Sequence, residues 1–405
     1  MERKSSQPRA LVIGGSVGGL FAAHLLRSIG WNVAVFERAT GDLGDRGTGI
    51  GTREELFAVM RRIGLRTDAS IGLDVLGRIE LGRDGGILHE LPVSAITSAW
   101  SRIWRPLRQA LPDDCYIGGK ALIRVEPHAG HVTAVFDDGS LATGDLLVAA
   151  DGLRSTVRAR LLPEIKPRYA GYVAWRGVVE ARQIVPALHG MVFHRMVFGF
   201  PDGELMLSIP MPGPRDERCC HFVWFRPVPE NALIELCTDS SGRGHGIAIP
   251  PPLIKPELIT AIKRNAGDLL APQLTALVNG TAQIILQPIF DLEASRIAFE
   301  RIALVGNAAF VARPHVATGV MKAAIDAEAL TDALAIHDND VTAGLNRYDR
   351  ERRPYGAWLV ERGRHIGGYF EAIDVEPRQR AETLMREYGA AGIVRSRPIA
   401  ARAPG

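Results

Sequence analysis

The sequence predicts an α/β fold in which a mostly parallel sheet is interrupted by an antiparallel one and followed by helices. Three observations carry this expectation. Residues 9–37 run strand, glycine turn, helix, strand; residues 169–245 are short β-rich runs punctuated by Pro and Gly; residues 318–370 carry helical patterning.

The first strand, Ala10-Leu11-Val12-Ile13, is apolar throughout, as a parallel strand covered on both faces must be. Gly14-Gly15-Ser16-Val17-Gly18-Gly19 follows, and Leu20, Ala23, His24 and Arg27 then advance at helical spacing to Gly30, a natural stop. Asn32-Val33-Ala34-Val35-Phe36 reads as the second strand and ends at Glu37. In the middle, Tyr172-Val173-Ala174-Trp175 and Cys220-His221-Phe222-Val223-Trp224-Phe225 read as antiparallel strands joined by turns such as Pro210-Met211-Pro212-Gly213-Pro214. Pro250-Pro251-Pro252 breaks the chain before helical patterns at 256–279. Arg301-Ile302-Ala303-Leu304-Val305 returns to a parallel-strand signature, and helices are expected over 318–337 and 341–370. Arg378–Gly405, rich in Arg and Ala, reads as a solvated helix and frayed tail.

The chain's 405 residues accommodate two domains, or one with a large insertion, and 46% hydrophobic residues supply an ample core. A net charge of +3 is too small for this length to argue for nucleic acid or a membrane surface as partner. No stretch of 18 apolar residues occurs, and the start Met1–Pro8 lacks a signal-peptide apolar region, so a cytoplasmic location is expected. The four cysteines form no Cys-x-x-Cys pair. Adjacent Cys219 and Cys220 would face opposite sides of a strand, as buried thiols in a reducing compartment.

The glycine turn is a phosphate cradle. Gly14 permits the tight turn, Ser16 is small enough for backbone to approach a pyrophosphate, Val17 opens the helix whose N–H groups face the phosphates, and Gly19 lets helix and strand pack closely. Glu37, with Arg38 beside it, can accept hydrogen bonds from ribose hydroxyls and would repel a 2′-phosphate, which points to FAD or NAD. Ser16 departs from the Gly-x-Gly-x-x-Gly pattern, and a glycine loop used only for packing is the alternative. Two later segments sharpen the reading. One is Gly144–Arg158, a buried strand ending in Asp151-Gly152 before a helix that opens at Ser155. The other is Arg301–Ala309, a strand ending in Gly306-Asn307, with Arg313-Pro314-His315 and Gly319 after it.

Together these three segments resemble the fingerprints of the flavoprotein aromatic hydroxylases (class A FAD-dependent monooxygenases), which include p-hydroxybenzoate and salicylate hydroxylases. The resemblance covers residues 9–370. Gly47-Thr48-Gly49-Ile50, Tyr169–Val178 and Arg313-Pro314-His315 add a likeness to the hydroxypyridine monooxygenases within that family. The resemblance implies a Rossmann-like FAD-binding domain with an inserted substrate domain containing an antiparallel β-sheet, plus C-terminal helices. It divides the chain into 1–75, 96–170 and 281–340 for FAD, 76–95 and 171–280 for substrate, and 341–405 for the helices and tail. Gly14, Gly19 and Glu37 would hold the ADP part of FAD. Asp151 would serve FAD and pyridine-nucleotide handling, and Gly306-Asn307 would meet the ribityl chain. Arg105, in Trp104-Arg105-Pro106-Leu107, would reach the FAD, and Arg46 and Gly49 would lie in the loop beside the isoalloxazine.

The family's Gly-Asp motif is Gly306-Asn307 here. Asn still accepts a hydrogen bond through its carbonyl oxygen, but one negative charge is gone. Ala317 likewise replaces the first glycine of the family's Pro-x-x-Gly-x-Gly loop.

The activity implied is hydroxylation of a small electron-rich aromatic or N-heteroaromatic ring, a hydroxypyridine by the narrower likeness. NADH or NADPH is the transient reductant, and O2 reacts through a flavin C4a-hydroperoxide. His315 is the candidate base, with a near-neutral pKa expected and Pro314 and Tyr172 beside the reaction; a loop histidine that shapes the backbone is the alternative. His194, His221 and Trp224 are candidates to line a flat substrate pocket, against a core role for each. Arg46 is a candidate partner for an anionic substrate, whereas Arg53 reads as facing solvent. The family suggests a homodimer. Two other classes stay open: an FAD- or NAD-dependent oxidoreductase without oxygen insertion, and a flavin-binding protein weakened by Asn307. No metal site is expected.

Overall fold

A computed structural model describes residues 7–44, 48–213, 217–368 and 377–389. Its first sheet, parallel except for the antiparallel edge strand Ala298–Phe299, runs, edge to edge, Ala298–Phe299, Ile302–Leu304, Leu146–Ala149, Arg9–Ile13, Asn32–Glu37 and Tyr116–Gly118. Arg9–Ile13 sits at its centre, parallel to Asn32–Glu37 on one side and Leu146–Ala149 on the other. Leu146–Ala149 in turn pairs in parallel with Ile302–Leu304. All three sequence fingerprints therefore leave the same edge of one sheet, at the carboxyl ends of its strands, where open α/β sheets bind ligands.

Helix Val17–Ser28 covers this sheet, and the apolar helix Gly319–Ile336 packs against it. Small residues make that contact close: a Cβ on Gly18 would come within 3.3 Å of the Ala323 methyl. The 28-residue helix Val341–Gly368 lies outside Gly319–Ile336. Gly356 brings its backbone against the Phe310 ring, where a Cβ would fall 2.2 Å from ring carbon.

The second, eight-stranded sheet is antiparallel except where Met196–Gly199 pairs with Arg78–Leu81. Its long central strands are Arg168–Glu180, Arg218–Pro227 and Leu205–Pro212. It also takes in Ile285–Glu293 and Phe310–Val311, which the sequence division places with the nucleotide-binding segments; pairing with Arg168–Glu180 draws the first of these across. Helices Pro256–Leu269 and Pro272–Gly280 cover one face, burying Phe222, Trp224 and Leu274. The other face looks toward the nucleotide-binding sheet. All four cysteines are buried and free. Among the described residues no helix is long and apolar enough to cross a membrane, and no cluster of metal-ligating side chains occurs.

Candidate active site

The glycine turn is as tight as its sequence requires. Gly14 has φ +109°, and a Cβ there would lie 2.5 Å from the Ala150 carbonyl oxygen. A Cβ on Gly19 would lie 1.8 Å from the Gly14 oxygen, so this position has no room for any side chain. Ser16 caps the helix with extended backbone and no side-chain hydrogen bond, and Val17 begins it, buried. The Glu37 carboxylate accepts from the Gly15 N–H at 2.8 Å and from the Ala39 N–H at 2.9 Å. Those bonds fix the carboxylate under the turn while leaving acceptor capacity for ribose hydroxyls. Arg38 is exposed beside it.

Helix Trp100–Ala110 docks on the turn through the Trp104 indole, which donates to the Gly15 carbonyl at 2.9 Å. The next residue, Arg105, is half exposed, lies 3.6 Å from Asp42 and packs over Gly44. Arg46 lies outside the described residues.

The Asp-Gly and Gly-Asn turns are joined. Asp151 Oδ2 accepts from the Thr156 and Val157 N–H groups at the start of helix Thr156–Leu161. Its Oδ1 is buried without a partner, and burial pushes its pKa up. Arg158 of the same helix donates to the Ala308 carbonyl at 3.0 Å, bridging to the second turn. Gly306 has φ +63°, donates to Asp326 Oδ2 at 3.1 Å and accepts from Lys322 Nζ at 2.7 Å. Asp326 also receives two bonds from Arg352, at 2.8 and 3.0 Å. Burial alone would raise the Asp326 pKa; the two cations outweigh it and hold it below the ordinary carboxylate value. This cluster braces the turn from below, while Asn307 is exposed on the cavity side. The i,i+4 spacing of Lys322 and Asp326 was its only sequence signal.

A cavity of about 770 Å³ extends from this turn to the inner face of the antiparallel sheet. Its walls include Asn307, Pro314, Gly319 and the strand Gly49–Thr52 on one side, and Arg176, Ile209, Val223 and Gln287 on the other. Arg386, Tyr388 and Gly389 close it. A flat heterocycle entering along the turns and a second ring against the sheet would both fit this space. The glycine cradle without room for Cβ atoms, the anchored Glu37 and the unpartnered Asp151 Oδ1 suit an extended flavin dinucleotide.

The predicted catalytic and substrate residues divide by location. Pro314 lines the cavity; His315 is fully buried behind it. The His315 Nε2 is 2.7 Å from the buried Tyr172 hydroxyl, and its ring packs, tilted, against Phe225 with centroids 4.5 Å apart. Burial, helped by Arg313, pushes His315 down to about 3, not the near-neutral value expected from sequence. Tyr172 is pushed up, again mainly by burial.

His221 is buried on the sheet face toward the cavity, behind Gly49, where it accepts from Arg176 Nε at 3.2 Å. Trp224 is on the opposite face, under the helical layer, because strand residues alternate sides and Val223 and Phe225 take the inner positions. His194 is partly exposed and does not line the cavity. Arg53, read as solvent-facing, instead lines the cavity and donates to the Gly389 carbonyl. Arg78 and Tyr388 were missed altogether, because a segment more than 300 residues away completes their surroundings.

A family model described as FAD binding domain-like matches residues 169–291. The chain is 28% identical over 376 residues to the 2,6-dihydroxypyridine 3-monooxygenase of Paenarthrobacter nicotinovorans, covering 90% of this chain and 93% of that protein. Against the 6-hydroxynicotinate 3-monooxygenase of Pseudomonas fluorescens it is 27% identical over 368 residues, covering 86% and 89%. The solved 2,6-dihydroxypyridine-3-hydroxylase from Arthrobacter nicotinovorans superimposes with a TM-score of 0.84 at 25% identity, over 97% of this chain and 96% of that one. The chain is similar in sequence and in fold to flavoprotein aromatic hydroxylases. The enzyme is an FAD-dependent monooxygenase, with NAD(P)H as reductant. The matched stretch 169–291 spans the central strands of the antiparallel sheet and the helices that cover its outer face.

Proposed function

We propose that the enzyme hydroxylates a small electron-rich ring, a hydroxypyridine, using NADH or NADPH and O2. The observation that carries this reading is the single cavity joining the Gly306-Asn307 turn to the inner face of the antiparallel sheet. The hydroxypyridine and hydroxynicotinate activities named for the two relatives support the ring type.

When bound, FAD supplies the redox and oxygen-transfer chemistry. The chain's own residues do the rest. Gly14, Ser16, Gly19 and Glu37 hold the ADP portion. Asp151, Gly306 and Asn307 meet the ribityl and pyrophosphate portion, with Arg105 reaching in from the side. The N-terminus of helix Gly319–Ile336 favours negative charge at the cavity. Pro314 and Gly49 shape the wall and exclude water. His315, kept neutral, hydrogen-bonds Tyr172 behind Pro314, and since neither of the two lines the cavity they support its wall rather than touch the ring. The free buried thiols suit a reducing cytoplasm, and the proposal includes a homodimer acting without membrane or nucleic acid.

The test is the visible spectrum of the purified protein, followed by NADH in air with hydroxypyridines. Flavin absorption that bleaches and recovers, with ring-stimulated NADH oxidation and a hydroxylated product, is expected. A protein that neither carries nor takes up FAD would overturn the reading and make Asn307 a loss. Flavin reduction that no ring stimulates would favour an oxidoreductase without oxygen insertion.

A further inference from the structure

The buried charges beneath the Gly306-Asn307 turn do not cancel. Lys322, 1% exposed, donates to the Gly306 carbonyl at 2.7 Å and to Asp326 Oδ2 at 2.9 Å. Arg352, also buried, donates to Asp326 Oδ1 through two nitrogens, at 2.8 and 3.0 Å. Among the described residues neither cation pairs with a second carboxylate, so two positive charges share one negative. The other neighbours are neutral. The Lys322 ammonium faces the Phe310 ring at 5.8 Å, and buried Tyr348, its phenol pushed well up by burial, donates to the Leu304 carbonyl at 2.8 Å. A buried excess of charge is unfavourable unless something balances it.

That excess reaches the cavity through Lys322. Arg352 does not line the cavity, whereas Lys322 does, beside Asn307 and the first turn of helix Gly319–Ile336. An ammonium has three donors, and the two bonds to protein leave one for a ligand. One turn earlier Thr318 lines the same wall, with its Oγ1 buried and without a partner. Among the described residues that line the cavity none is Asp or Glu, so the balancing charge arrives with what the cavity holds.

We propose that Lys322 is a potential-setting residue for the bound flavin: the positive charge it brings to the wall is balanced when the flavin is reduced. This rests on FAD as the cofactor and not on the identity of the ring. FAD that accepts a hydride from NAD(P)H gains two electrons and one proton, hence one negative charge, and NAD(P)H leaves as NAD(P)+. The oxidised ring system is neutral, so a fixed charge in the wall holds the reduced form more tightly than the oxidised one. Asp326 sets the size of that charge. Removing the Lys322 charge leaves Arg352 and Asp326 balanced, whereas removing the Asp326 charge leaves two cations unopposed.

The experiment is an anaerobic redox titration of the FAD-loaded enzyme against a dye of known potential, with no ring, NADH or oxygen present. Lys322→Met is expected to weaken the preference for reduced over oxidised flavin about tenfold, a fall of about 30 mV in midpoint potential. Asp326→Asn is expected to move the potential the other way, and Lys322→Arg to stay near the wild-type value. Sulfite adds to oxidised flavin and leaves a negative charge on it, so it is expected to bind Lys322→Met about tenfold more weakly. A merely structural role would not give shifts of opposite sign. FAD content and melting temperature check folding. Lys322→Gln replaces Lys322→Met if the latter does not fold, and comparison with Lys322→Arg decides if Asp326→Asn does not. An unchanged potential on loss of the Lys322 charge would overturn the proposal. So would movement of Lys322→Met and Asp326→Asn in the same direction. Failure of the ring-hydroxylase reading is distinguishable, because no ring takes part in this titration.

Discussion

Single residues set the two electrostatic conditions of this site. Among the described residues, Asp326 is the only anion beneath the Gly306 turn that both Lys322 and Arg352 contact. Asp326→Asn leaves two buried cations without it, and a loss of about 3–5 kcal/mol in urea unfolding is expected; a loss within error would mean the cluster does not hold the turn. At Gly19 the constraint is steric. A Cβ 1.8 Å from the Gly14 oxygen forces the turn open, so Gly19→Ala is expected to weaken FAD binding. At least ~10-fold is expected, about 1.4 kcal/mol, by equilibrium dialysis. His315 makes a pH prediction. Its folded pKa of about 3 lies below its ordinary 6.5, so the unfolded chain binds more protons between those values. The stability that neutral His315 contributes is therefore complete above pH 6.5 and is lost as pH falls toward 3. His315→Gln should flatten the fall of the denaturation midpoint across that window. An equally steep fall in the variant would place the acid sensitivity elsewhere, with His221 the next candidate because burial and Arg176 lower it too.

At the scale of elements, the segment that closes the cavity is the helix Pro377–Glu387 with Tyr388 and Gly389 after it. It is latched by hydrogen bonds to its backbone as well as by the ion pair of Glu387 with Arg362 at 3.3 Å. Arg78 donates to the Met385 carbonyl, Arg53 donates to the Gly389 carbonyl, and the Gly389 N–H donates to the His315 carbonyl at 2.8 Å. Deleting residues 377–405 leaves the glycine cradle and both later turns intact. The expected outcome is a protein that retains FAD but opens the cavity to water, so that hydroxylated product per NADH falls and hydrogen peroxide rises. Unchanged coupling in the truncated enzyme would show that the cavity is sealed by other parts of the chain. The large sheet illustrates a second property of elements. Its inner and outer faces alternate residue by residue, so Trp224 and Val223, adjacent in sequence, serve a core and a cavity wall respectively.

For the whole molecule, the binding path runs along three turns on one edge of the parallel sheet and ends against a second sheet. Arg158 already ties two of those turns together. A dinucleotide along all three binds the folded state alone, so it stabilises by mass action, about 2.7 kcal/mol at 100 times its Kd. Scanning calorimetry should therefore show a higher Tm for the FAD-loaded protein than for the stripped one, with the difference growing with added FAD. No shift at saturating FAD would mean that the three turns do not act as one site.

The sequence by itself determined the parts of this protein whose signal is local. Residues 9–37 encode a strand, a turn and a helix through apolar continuity, glycines without room for Cβ and an acid at the second strand's end, and all of these are neighbours in the chain. The strand at 302–304 and the helix at 319–336 were legible for the same reason, as was the antiparallel character of the middle segment. What only the tertiary structure decided is where side chains from distant segments meet. Whether His315 faces the cavity or hides behind Pro314 depends on Tyr172, Phe225 and Tyr388 packing around it. That Arg176 meets His221 and Gln287 depends on the two strands that flank its own in the sheet. A sequence pattern records the period of an element and so which residues share a face. It does not record what another element, hundreds of residues away, brings to that face, and burial, pairing and pKa follow from that encounter.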